Sequence, residues 1–115
     1  MADADDLKGM WNGSFRYSAT AEIGETEFKA RFAISDGVVT GLIVEDHVVR
    51  QGQVKAEIEG TFDGRILRFT KRYIDDGNEY TRPVKYEGSM AADGASIEGT
   101  WTLPDDSGTF VMTRP

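Results

Sequence analysis

The sequence predicts an all-β fold, an up-and-down antiparallel barrel of about eight short strands, from three observations. Side chains alternate with period two, as they do where one face of a strand is buried and the other solvated. Asp-Gly pairs recur between the alternating stretches, at Asp36-Gly37, Asp63-Gly64, Asp76-Gly77 and Asp93-Gly94. That dipeptide tolerates the positive φ a tight hairpin turn demands. No stretch carries convincing helical spacing.

The first strand places Trp11, Gly13, Phe15 and Tyr17 on one face. A looser turn near Gly24-Glu25 leads to Phe28, Ala30, Phe32 and Ile34, with Glu27, Lys29 and Arg31 opposite. Residues 38–45 are more continuously apolar, so their parity stays open. Next come Val54, Ala56, Ile58 and Gly60, and then, beyond Asp63-Gly64, Leu67, Phe69, Lys71 and Tyr73. A sixth strand reads Tyr80, Arg82, Val84, Tyr86 and Gly88. Pro83 within it has no N–H to give the ladder, which predicts a bulge or a frayed edge. The last two strands read Ile97, Gly99, Trp101, Leu103 and, after the turn at 104–108, Phe110, Met112 and Arg114.

Hairpin-short connections favour a closed barrel over a two-sheet β-sandwich, which usually needs a longer crossover. The irregular stretch from Glu45 to Gly52 is the main support for the sandwich. Strand glycines at 13, 41, 60, 88 and 99 suit the tight curvature of a small barrel.

At 115 residues the chain fits one domain, expected over residues 9–115 behind a flexible acidic N-terminus at 1–8. It has no cysteine, hence neither disulfides nor thiolate ligands. Its start lacks the basic and apolar regions of a secretory signal, and no apolar run is long enough for a spanning helix. The expected location is cytoplasmic. A formal charge of −7 disfavours nucleic acid and anionic membrane as partners.

The Gly9-Met10-Trp11 entry into the first strand, with Arg114 at the end of the last, resembles the calycin superfamily of lipocalins, fatty-acid-binding proteins and avidins. The resemblance implies that the Arg114 guanidinium packs over the Trp11 indole and closes the barrel base, an arrangement favoured by the ring's electron-rich face. Short loops make the chain more similar to avidin-like barrels than to lipocalins. Biotin binding is not implied, because only Trp11 and Trp101 could supply interior indoles.

Alternation puts two cations on the inward face: Lys71 beside Phe69 and Tyr73, and Arg82 beside Tyr80 and Tyr86. Buried positive charge demands a carboxylate, from the protein or from a ligand. Lys71, Arg82, Tyr73, Tyr80, Tyr86 and Phe69 are therefore the candidate ligand contacts. The bland alternative is that the long side chains snorkel out at strand ends.

His47, the single histidine, follows Asp46, which could orient it only in a loop. It reads best as an exposed loop residue. Asp75-Asp76-Gly77-Asn78-Glu79 misses the EF-hand spacing, and Glu87 and Glu98 form a glycosidase-like pair only in an unknown register. No nucleophile elbow, phosphate loop or dinucleotide fingerprint is present, and no cofactor or metal is expected.

The leading expectation is a non-enzymatic barrel binding a small hydrophobic or weakly acidic ligand. One alternative is a filled barrel acting through homo-oligomerisation or protein contact, because the Val38–Val44 run is apolar on both faces and an interior takes only one. The other is a small barrel isomerase or cyclase using His47, Tyr80 or a carboxylate.

Overall fold

A computed structural model describes residues 7–17, 25–47, 52–74, 83–104 and 106–114. Eight strands follow one another around a closed ring: β1 (Gly9–Tyr17), β2 (Glu25–Ser35), β3 (Val38–His47), β4 (Gly52–Phe62), β5 (Ile66–Ile74), β6 (Val84–Met90), β7 (Ser96–Leu103) and β8 (Asp106–Thr113). Each pairs antiparallel with its sequence neighbours, and β1 closes on β8 through Asn12↔Thr113 to Tyr17↔Gly108. Closure leaves no sheet edge, and it rules out the sandwich.

The turns are set by their Asp-Gly pairs. Asp36 and Gly37 both have positive φ, 52° and 78°, the signature of a two-residue type I′ hairpin that pairs Ser35 with Val38. Asp63 Oδ1 accepts from the N–H groups of Arg65 and Ile66 at 2.9 and 2.7 Å, and Asp93 Oδ1 accepts from Ala95 N–H at 2.9 Å. All three turns lie at one end of the barrel. Tyr17, Glu25, His47, Gly52, Ile74, Val84, Leu103 and Asp106, the opposite ends of the strands, lie at the other.

Glycine is required where strands approach closely. A Cβ on Gly60 would sit 1.9 Å from the Arg68 carbonyl oxygen, and one on Gly108 would sit 1.8 Å from that of Arg16. The Trp101 ring lies across Gly108, its cross-strand partner, filling the space a side chain would take.

The alternating apolar residues fill the lumen: Trp11 and Phe15, Phe28 to Phe32, Ala56 to Phe62, Leu67 and Phe69, Ile97 and Trp101, Phe110 and Met112. At the turn end, the start of β1 meets the residue that follows β8. The Arg114 guanidinium lies 4.2 Å from the Trp11 ring centre and donates to the carbonyls of Met10 and Lys8 at 3.1 and 2.9 Å. Trp11 Nε1–H donates to the Leu7 carbonyl at 2.8 Å. Leu7 is itself fully buried, so core packing starts before residue 9.

Two local expectations need correction. The stretch from Glu45 is not irregular: β3 continues to His47, which pairs with Gly52, leaving a connection of 48–51 alone. His47 is thus a strand residue rather than a loop residue. Pro83 stands outside the ladder, just before Val84, where β6 begins, so it is not a bulge within that strand.

Candidate ligand site in the barrel lumen

Lys71 enters the lumen because β5 alternates without a break. Leu67 and Phe69 are buried on the same face, and Lys71 is only 1% exposed among them. The type I′ turn does the same for Glu45. Pairing Ser35 with Val38 puts Ile34 opposite Val39, so Val39, Ile43 and Glu45 all point inward. Glu45 is 0% exposed.

The two charges meet across the lumen, with Lys71 Nζ donating to Glu45 Oε2 at 2.5 Å. Nζ also donates to the Tyr86 hydroxyl at 2.9 Å. The Tyr73 hydroxyl, at the half-buried rim, donates to Glu45 Oε1 and Oε2 at 2.9 and 3.1 Å. Three rings surround the ammonium, Phe15 and Tyr73 at 4.8 Å and Tyr86 at 5.0 Å from their centres. Phe69 stacks on Tyr86 with ring centres 4.7 Å apart.

Burial pushes the Lys71 ammonium below the usual lysine range, while the charge and hydrogen bond of Glu45 pull the other way. No buried side-chain polar atom among the described residues lacks a hydrogen-bond partner. The carboxylate that Lys71 demands is therefore supplied by the protein, and these two charges balance each other.

Of the six candidate contacts, four converge: Lys71, Tyr73, Tyr86 and Phe69. Arg82 and Tyr80 lie outside the described residues, as does the Asp75–Glu79 run. Glu45, which the sequence left unassigned, is the residue that organises the cluster. Glu45, Tyr73 and Tyr86 stand within two residues of the strand ends that carry connections 48–51 and 75–83, so the cluster lies toward that end of the lumen. Glu87 and Glu98 point outward, and Glu87 pairs with Arg68 on the exposed wall. Among the described residues no cluster of histidines and carboxylates could hold a metal ion.

No family model matches the sequence, and no curated protein matches it. Among solved structures, the chain is similar to a redesigned β-barrel, mFAP0, bound to DFHBI. The TM-score is 0.65 at 17% identity, over 95% of this chain and 99% of that one. At that identity the likeness speaks for the fold.

Proposed function

We propose that this barrel binds a small, largely aromatic, neutral or weakly acidic molecule at the end of its lumen where β1, β3 and β5 finish and β6 begins. Tyr73, the half-buried member of the cluster, would meet its polar group with the Lys71–Glu45 pair behind it, and the ring would lie toward Tyr86 and Phe69. The observation that carries this reading is the buried ion pair itself. A barrel that only needs filling is as stable, or more so, with apolar side chains in those places. A neutralised cation beside hydroxyls and rings is what a pocket uses to orient a ligand. Because Glu45 already balances Lys71, the site favours a phenol or carbonyl over a strong anion. The likeness to a barrel solved with a small molecule bound is compatible with this, as an analogy of fold.

The test is a titration with 4-nitrophenol, followed by its absorbance, and with 4-nitroanisole, followed by shifts in the amide NMR spectrum. Saturable binding of either, lost in a folded Glu45→Leu/Lys71→Met double variant, supports the reading. No saturable change with both probes points to a filled barrel.

A further inference from the structure

The outer face of β3 carries a second feature, independent of any ligand. It presents Val38, Thr40, Leu42 and Val44 to the outside, with Val38 49% and Leu42 45% exposed. This explains the two-faced run: Val39 and Ile43 take the lumen, and Val38 and Leu42 face solvent. The strands on either side carry opposite charge. β2 sets Lys29 and Arg31 along one flank, and β4 sets Glu57 and Glu59 along the other. The register aligns Arg31, Leu42 and Glu57 in one row across the three strands. None of these four charged residues forms an ion pair within the described chain.

We propose that this face is the contact between two copies of the chain, related by a two-fold axis running parallel to β3. Such an axis keeps each row level and exchanges its two sides. Leu42 then meets Leu42 of the second copy, Val38 meets Val38, and Arg31 meets the second copy's Glu57, twice by symmetry. In the row nearest the turn, Ser35 faces Thr61. An axis running across the strands at the Leu42 row would keep β2 over β2 and β4 over β4; it would set Lys55 over Glu59 but stack Arg31 on Arg31 and Glu57 on Glu57, like charge on like at the centre of the contact. Toward the opposite end Lys29 faces Lys55, which confines the contact to the Val38–Leu42 half. A convex barrel wall touches over about three strands, so the association belongs to the weak, concentration-dependent class.

Sedimentation velocity over a concentration series, with circular dichroism to verify folding, tests this. The wild type is expected to dimerise with rising concentration, and Leu42→Glu to stay monomeric. Arg31→Glu and Glu57→Arg alone should each weaken association about tenfold, since each sets like charges face to face. The double variant Arg31→Glu/Glu57→Arg restores opposite charges and should return to within about threefold of wild type. A wild type that stays monomeric at the highest concentration overturns the proposal. So does a double variant as weak as either single one, because only direct Arg31–Glu57 contact between copies predicts the rescue.

Discussion

Removing one partner of the Lys71–Glu45 pair should be far more damaging than removing both. Lys71→Met removes the ammonium from the Glu45 carboxylate, which has no solvent exposure and keeps the Tyr73 hydroxyl as a donor. Glu45→Leu leaves the Lys71 ammonium buried among Phe15, Tyr73 and Tyr86 without the Glu45 counter-charge. Orphaning a buried ion in this way costs about 3–5 kcal/mol. For a domain of this size, 1 kcal/mol corresponds to about 4 °C in Tm, so each single variant should melt about 12–20 °C lower. In Glu45→Leu/Lys71→Met neither charge remains. Tyr73 and Tyr86 each lose a hydrogen bond of about 1 kcal/mol, offset by two apolar side chains that no longer need desolvating as ions. The double variant should therefore fall within about 2 kcal/mol of wild type, a coupling of several kcal/mol between the two sites. Urea unfolding of the four proteins measures it. Single variants costing less than about 1 kcal/mol would refute the reasoning, since that is the value of a solvated pair. Additive losses in the double variant would refute it equally.

Three further outcomes follow from the same structure. Gly108→Ala should cost about 2–3 kcal/mol in urea unfolding, because its Cβ would collide with the Arg16 carbonyl and the Trp101 ring. Arg114→Met keeps the stem but loses the stacking on Trp11 and the bonds to Met10 and Lys8, and should cost about 1–2 kcal/mol. Stability should also depend on pH through two groups. The N–H groups of Ile66 and Arg65 hold the Asp63 carboxyl below its ordinary value of 3.8. Its contribution is thus present above 3.8 and is lost as the pH falls through the lower folded value; Asp63→Asn should flatten that acid limb. Lys71 is held below its ordinary 10.5, so in the window from its folded value up to 10.5 the unfolded chain binds more protons and stability rises with pH. The difference between wild type and Lys71→Met, followed as the pH rises toward 10.5, should show this slope.

The barrel was legible because nearly every strand obeyed one simple alternation and its turns announced themselves. Lys71 was legible for the same reason: a cation in phase with Leu67 and Phe69 has only the lumen to enter. Glu45 was not, because residues 38–44 are apolar on both faces and period two cannot choose between them. The information was nonetheless present in Asp36-Gly37. A two-residue turn carries the parity of Ile34 across to Val39, and from there to Glu45. The apparent irregularity after Glu45 was a misreading of polar composition as loop, whereas backbone pairing with β4 holds Asp46 and His47 in the ladder. The pairing of Arg31, Leu42 and Glu57 in one row needs register on both sides of β3, which no single strand reveals.

Native mass spectrometry of gently purified protein, compared with its denatured mass, tests the central claim most directly. A binding lumen predicts a discrete extra mass that disappears on denaturation and is missing from the folded Glu45→Leu/Lys71→Met variant. A wild type without added mass, and with no shift in Tm on adding small phenols or aromatic carbonyl compounds, would contradict it.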